Sequence, residues 1–210
     1  MSAKRRKRSG APAAPASHIR IRIPKPTLPP ILTAADPEEF LEFQLVRSNS
    51  PGSRLIGFFG GGFFSHVDIV WPDGRLFGAR SDHIRRMADR TRCDLKPGVR
   101  FRPQGYERWS RVVRIRVPCS TEQKRRAMAW ALEQEYKPYD KLAIVAFAID
   151  RSWRTEGAWF CSELATRYLE VAFDFTLPLT PNKIPPGTFA CTAGARPGAT
   201  ITILPQSLKE

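Results

Sequence analysis

The sequence has few of the residues on which metal sites, disulfide frameworks and membrane spans depend. Its 210 residues include four cysteines and three histidines, and the cysteines show neither a C-x-x-C pair nor a spacing typical of zinc sites. The glycine run 60–62 lacks the Gly-Lys-Ser/Thr sequence of a phosphate loop. No stretch approaches the roughly 20 apolar residues of a membrane-spanning helix. We therefore expect reduced thiols, no metal or organic cofactor and no transmembrane segment.

Acidic residues are also scarce. The chain has 34 lysines and arginines against 20 aspartates and glutamates, a formal charge of +14, which favours an anionic partner. Part of this charge lies in the basic run Lys4–Arg8, before an alanine- and proline-rich stretch typical of a flexible arm. No apolar run of about 7–15 residues follows it, so we expect no secretory signal and a cytoplasmic or virion-associated protein.

The distribution of prolines predicts one folded domain between two irregular ends. Hydrophobic residues make up 42% of the chain, enough for one core, and the 19 prolines cluster toward the termini. We predict a basic, proline-rich flexible arm over residues 1–35, which contacts nucleic acid or another anionic polymer. A catalytic domain follows over residues 36–180, and a proline-rich tail over residues 181–210.

Alternating apolar residues predict strands, and capping patterns predict helices. Phe64 to Trp71 alternates, and Leu76 to Ala79 follows the turn dipeptide Asp73-Gly74, so we expect a hairpin there. A further strand is expected over Arg111–Val117, and an exposed loop or short helix over the arginine-rich segment 80–92. We predict four helices. The first begins after Asp36-Pro37, and the second begins at Ser120 with a capping box to Gln123. The third spans Leu142–Ile149 and the fourth spans Phe160–Ala172.

Cys161 is the cysteine best placed for catalysis. It falls in the first turn of a predicted helix, where backbone N–H groups and the helix dipole lower the pKa of a thiol. A neighbouring imidazole can then take the thiol proton and return it to a leaving group. An ordinary buried core thiol is the alternative interpretation. Glu163 is interpreted as structural, since an acid in the first turn of a helix is favourable in itself.

Two histidines are candidates for the base. His18 lies in the predicted arm, which leaves His66 and His83. His66 is preferred because it lies within a predicted strand, on the same face as Asp68. A histidine hydrogen-bonded at the surface of the sheet is the alternative.

Four segments, in order along the chain, resemble the motifs of one family. Phe64 to Val70 followed by Asp73-Gly74 resembles its histidine strand, and Trp159 to Leu164 resembles its cysteine helix. Gly52 to Ile56 and Lys137 to Asp140 resemble the helix before the histidine strand and the tyrosine–aspartate segment. The family is the permuted NlpC/P60-like group of papain-fold cysteine amidases, also described as YiiX-like or LRAT-like, in which histidine precedes cysteine. The resemblance extends from roughly Phe40 to Leu169.

The resemblance implies an α+β fold, with a small antiparallel sheet packed on helices in a circularly permuted papain-like order. It implies that Cys161 attacks an amide, ester or thioester carbonyl, with His66 as the base. The Cys161 backbone N–H would stabilise the oxyanion, joined by the Tyr139 hydroxyl unless Tyr139 is a plain core residue. The motifs resemble those of bacterial and prophage members, and peptidoglycan peptides are the substrate class that the family suggests most readily.

The sequence departs from the family pattern in the residue that would orient the imidazole. The strand after the histidine carries a polar residue in the family, whereas this chain has Leu76–Arg80, without a carboxylate. A two-residue turn at Asp73-Gly74 would place His83 on the His66 face, and a shift of one residue would bring Asp82 across instead. We rank Asp82 and His83 equally, with Asp68 as a fallback.

We therefore predict a cysteine amidase or endopeptidase acting on a peptide, peptidoglycan or acyl substrate through an acyl-enzyme. One alternative is an LRAT-like acyltransferase or lipid hydrolase. A different class of alternative is a catalytically weak basic binding or virion structural module.

Overall fold

The computed structural model describes residues 39–47, 63–141, 155–177 and 184–205, all within the compact unit Ala34–Glu210. The described residues form eight strands and three helices. The strands are β1 (Phe40–Arg47), β2 (His66–Val70), β3 (Leu76–Arg80), β4 (Ile84–Arg86), β5 (Arg92–Leu95), β6 (Gly98–Arg102), β7 (Arg111–Pro118) and β8 (Thr200–Leu204). The helices are α1 (Thr121–Glu133), α2 (Cys161–Phe173) and α3 (Pro186–Gly194).

Six of these strands form one antiparallel sheet, which shares a buried core with the helices. Its order is β6-β3-β2-β1-β7-β8, while β4 and β5 form a separate two-stranded hairpin. The predicted α+β class with an antiparallel sheet is therefore confirmed. No helix in the described parts of the chain is long and apolar enough to cross a bilayer. The predicted arm 1–35, the segment Gly52–Ile56 and the helix Leu142–Ile149 lie outside the described residues.

The central strand β1 corrects a prediction. A helix was expected to follow Asp36-Pro37, but the chain is a strand from Phe40 onward. The reason is a period of two: Leu41, Phe43 and Leu45 are all buried in the core, as alternate residues of a strand are when one face of the sheet is covered. A residue that caps a helix also suits a turn before a strand, so the Asp-Pro pair alone did not decide between them.

The predicted hairpin is confirmed as β2 and β3, but its register differs from the one expected. Ile69 pairs with Phe77, whereas a two-residue turn would put Gly78 opposite Ile69. The Trp71 N–H donates to the Arg75 carbonyl at 2.8 Å, so the turn is longer, and Gly74 takes a left-handed φ of 84°. This change of register moves every residue that was expected across from His66.

The arginine-rich segment is a β-hairpin instead of the expected loop or short helix. β4 pairs with β5, with Ile84 opposite Leu95. The Met87 N–H donates to the Thr91 carbonyl at 2.9 Å, and the Ala88 N–H donates to the Gly105 carbonyl at 3.2 Å, which ties the hairpin to the loop before β7.

In the described residues of the second half, β7, α1 and α2 follow the predicted patterns. The capping box at α1 is present, since the Ser120 hydroxyl accepts from the Gln123 N–H at 3.2 Å and the Gln123 side chain accepts from the Ser120 N–H at 2.8 Å. The C-terminal tail is a further correction. Its described part contains α3 and β8, and β8 extends the main sheet by pairing with β7. Pro185 precedes α3 and Pro186 is its first residue, a position that proline suits, so proline content alone does not indicate an irregular tail.

Candidate active site

Helix α2 begins at the predicted nucleophile. Phe160 caps it in an extended conformation, and Cys161 is the first helical residue. The Phe160 N–H donates a hydrogen bond to the Glu163 carboxylate at 3.4 Å, which supports the structural interpretation of Glu163. Cys161 is only 2% exposed, so it lies at the buried N-terminal end of the helix.

Strand β2 brings His66 to this thiol. His66 is the first residue of β2 and pairs with Val46 of β1, and the preceding Ser65 N–H donates to the Val46 carbonyl at 3.0 Å. The side chain of Cys161 lies close enough to the imidazole to contribute to raising the pKa of His66. The two residues that the sequence singled out, 95 positions apart by number, thus meet in the structure.

The other side of the imidazole is held by Asp68. His66 Nε2 lies 2.9 Å from Asp68 Oδ1, which leaves Nδ1 as the ring nitrogen that Asp68 does not bind. Asp68 is 1% exposed, and its second oxygen, Oδ2, accepts a hydrogen bond from the Tyr106 hydroxyl at 2.8 Å. The result is a chain of polar contacts from Tyr106 through Asp68 and His66 to Cys161.

Within this chain of polar contacts, His66 and Asp68 each stabilise the charged form of the other. Burial lowers the pKa of His66, but the Asp68 carboxylate and Cys161 outweigh it and raise the pKa to about 9. Burial raises the pKa of Asp68, but the charges of His66 and Arg102 and the hydrogen bond from Tyr106 outweigh it and lower the pKa to about 2. A pKa of about 9 keeps His66 protonated at neutral pH, next to the Asp68 carboxylate.

Two neighbours make room for Asp68 and hold its surroundings. A Cβ on Gly78 of β3 would lie 2.0 Å from Asp68 Oδ1, so only glycine allows the carboxylate to occupy this position. Arg102 is fully buried beside it and donates to the carbonyls of Gly78 at 2.8 Å and Gly98 at 3.0 Å. The group that binds the imidazole is Asp68 of β2, the histidine strand itself, and not a residue of the strand that follows. In the sequence, Gly78 of β3 was the sign that a side chain occupies the space above it.

The structure corrects the predicted orienting group. Asp82 binds Arg80 through two hydrogen bonds of 2.7 and 2.8 Å, and His83 pairs with Asp94 on the β4–β5 hairpin. In the described contacts neither side chain bonds the His66 ring, and the partner of Nε2 is Asp68, which had been the fallback. The longer turn between β2 and β3 is the physical reason, because it shifts residues 81–83 away from their expected places.

Tyr139 is held beside the residues that precede helix α2. It forms a parallel bridge with Trp159, fixed by hydrogen bonds of 3.0 Å from the Trp159 N–H to the Pro138 carbonyl and from the Asp140 N–H to the Trp159 carbonyl. Its ring centroid lies 5.9 Å from that of Phe160. Burial and the charge of Cys161 raise the pKa of its hydroxyl well above the usual value, so it is a protonated donor at neutral pH.

Trp109 is a residue that the sequence did not reveal. Its ring stacks on the His66 ring, with centroids 6.3 Å apart and an interplanar angle of 20°. The ring shields the imidazole from one side, and the guanidinium of Arg80 lies 5.5 Å from its centroid. The indole Nε1 is buried and has no acceptor among the described residues. No motif marks this tryptophan, because only the tertiary fold brings the loop before β7 against β2.

The described residues show no metal site, and the chain has a structural similarity to a known protein. Within the described residues, no group of three or more histidine, cysteine, aspartate or glutamate side chains is arranged to hold a metal ion. No protein-family model matches the chain, and no curated protein matches it. Among solved structures, the chain is similar to one described as the metalloprotein YiiX from Escherichia coli O157:H7, at 17% sequence identity and a TM-score of 0.47, with 81% of this chain and 98% of that chain covered.

Proposed function

We propose that this protein is a cysteine hydrolase that cleaves amide-type bonds through an acyl-enzyme. The observation that carries the proposal is the proximity of Cys161, at the start of a helix, to His66, with Asp68 bonded to Nε2 of the ring. A nucleophile, a base and a group that orients the base are the three parts that this chemistry requires.

The first half-reaction forms a thioester. The Cys161 thiolate attacks the carbonyl carbon, and the charge that develops on the carbonyl oxygen is stabilised by the Cys161 backbone N–H and the Tyr139 hydroxyl. When the C–N bond breaks, the His66 imidazolium gives its proton to the departing amine. Asp68 keeps the ring oriented and stabilises its charged form, as the raised pKa of His66 indicates.

The second half-reaction restores the enzyme. Water attacks the thioester carbonyl while His66, now neutral, accepts a proton from it. The C–S bond then breaks, the carboxylic acid leaves, and Cys161 and His66 return to a thiolate and an imidazolium. Trp109, stacked on the ring, keeps bulk water from one side of the imidazole in both halves. The resemblance of the motifs favours peptides, including peptidoglycan peptides, as substrates.

The proposal is tested by the iodoacetamide labelling rate of each cysteine between pH 5 and 9. Cys161 is expected to label faster than the exposed Cys191 and the partly exposed Cys93 at pH 6, despite its burial. Cys119 is expected to be the slowest, because burial and Glu39, opposed by Lys124, raise its pKa to about 11. His66→Ala should lower the labelling rate of Cys161 by about tenfold or more at pH 6, because it removes the imidazolium.

The matched control is His83→Ala, which removes a histidine that pairs with Asp94 away from the thiol. It should leave the labelling of Cys161 unchanged. Labelling of Cys161 no faster than that of Cys93 and Cys191 at pH 6, or an equal response to both histidine variants, would contradict the proposal.

A further inference from the structure

A pocket of about 440 Å³ lies beside the candidate site. It is formed by the β4–β5 hairpin and by the loop that leads into β7, and its volume is in the range that holds a small ligand or one group of a larger one. Four arginines contribute to its lining: Arg85, Arg86, Arg90 and Arg108.

These four arginines are exposed, and none forms an ion pair with a carboxylate among the described residues. The two carboxylates in the lining, Asp82 and Glu107, are both paired with Arg80. The two carboxylates share this fifth arginine, which offsets one of their two charges, and the four lining arginines outnumber the charge that is left, so the pocket keeps a net positive charge. Four like charges around one concavity repel one another unless an anion binds among them.

The pocket is connected to the catalytic chain of contacts through its own lining. Tyr106, which lines the pocket, donates its hydroxyl proton to Asp68. Asp82 lies close enough to His66 for the histidine charge to contribute to lowering the pKa of Asp82. A group bound among the arginines would therefore lie beside the residues that hold the His66 ring in place.

We infer that the pocket binds an anionic group of the substrate, a carboxylate or a phosphate, so that the substrates are acyl compounds that carry a negative charge away from the scissile bond. The inference rests on the proposed function. Guanidinium groups bind carboxylate and phosphate oxygens through paired N–H donors, and arginine is the residue of choice for such recognition. A concave site of this volume suits one compact anionic group better than a polymer backbone, which a flat or grooved surface would follow.

The test compares two activated esters of nearly equal size, 4-nitrophenyl pentanoate and mono-4-nitrophenyl glutarate, at physiological ionic strength. Homologous diacid monoesters with longer chains then measure the distance from Cys161 to the anion site. The wild type is expected to have the higher kcat/KM for the charged esters. Arg86→Gln/Arg90→Gln should reduce the ratio of charged to neutral kcat/KM by about three- to tenfold, because each exposed charge contact contributes modestly.

The control is Arg75→Gln/Arg125→Gln, which removes the same two charges from exposed ion pairs on the β2–β3 turn and on α1. It should leave the ratio unchanged. An equal fall in both double variants, or no preference for charged esters in the wild type, would overturn the inference while Cys161-dependent hydrolysis of the neutral ester kept the proposed function intact.

A binding measurement keeps the inference testable without turnover. Calorimetric titration of the Cys161→Ala protein with glutarate and with inorganic phosphate should show binding that Arg86→Gln/Arg90→Gln weakens, and the tighter of the two ligands identifies the preferred anion. Turnover of neither ester by the wild type would count against the proposed function. Absence of binding by both anions would overturn the anion site.

Discussion

Asp68 sets the electrostatics of the site at the scale of single residues. Its carboxylate bonds His66 on one oxygen and Tyr106 on the other, and it has almost no contact with solvent. A buried carboxylate is costly unless its charge is compensated. Here His66 and Arg102 compensate it, and in return it holds the proton on the imidazole that the proposed chemistry requires.

Replacing this carboxylate by its neutral isostere tests that role. In Asp68→Asn, the pKa of His66 is expected to fall from about 9 by about one to three units, because burial continues to lower it while the largest opposing charge is gone. The measurement is an NMR titration of the His66 ring. Asp94→Asn, which removes a carboxylate from His83 instead, should leave the His66 titration unchanged. An Asp68→Asn midpoint still near 9 would show that Asp68 does not hold the proton.

That Cys161 and His66 would meet was predictable from the sequence, but the contact of His66 with Asp68 was not. Cys161 was marked by a helix start and His66 by a strand, both of which are local patterns. Asp68 was known to share a face with His66, yet side chains two residues apart on a strand are separated by about 7 Å at their origins and normally do not meet. Their contact depends on the rotamers and on the space over Gly78, which only the folded sheet determines.

At the scale of elements, the close approach of β2 and β3 is the feature on which the site depends. β3 offers no side chain at Gly78, and the Asp68 carboxylate fills that space. A glycine within a strand weakens the strand, so its presence indicates a close neighbour. The elements that the sequence mispredicted, β1, the β4–β5 hairpin and β8, lie where tertiary pairing overrides ambiguous local patterns.

Gly78→Ala should therefore displace Asp68 and uncouple it from His66. We expect the variant to lose about 1–3 kcal/mol in the free energy of unfolding, the usual cost of overpacking, and to lower the pKa of His66. In an Asp68→Ala background the same substitution should cost less, because the group that it meets is gone. Urea unfolding of the four proteins gives the interaction energy. Additive effects would mean that Gly78 serves the backbone alone.

At the scale of the whole molecule, the site couples stability to pH from both sides. Asp68 has a folded pKa of about 2, below the ordinary 3.8. Its contribution is therefore present above 3.8 and is lost as pH falls through about 2. His66 has a folded pKa of about 9, above the ordinary 6.5, so its contribution is present below 6.5 and is lost as pH rises through about 9.

The difference in the free energy of unfolding between the wild type and Asp68→Asn should consequently form a plateau from about pH 4 to 6.5. It should decline on the acid side as Asp68 binds a proton, and on the alkaline side between 6.5 and about 9 as His66 loses one. Using the difference cancels the other titrating groups of a chain with a net charge of +14. Urea titrations at fixed ionic strength measure it. A His66→Gln background should remove the alkaline decline and also reduce the acid decline, because His66 helps to lower the pKa of Asp68. A difference that is constant from pH 6.5 to 9 would mean that His66 is neutral in the folded protein, and the imidazolium would then be unavailable to activate Cys161.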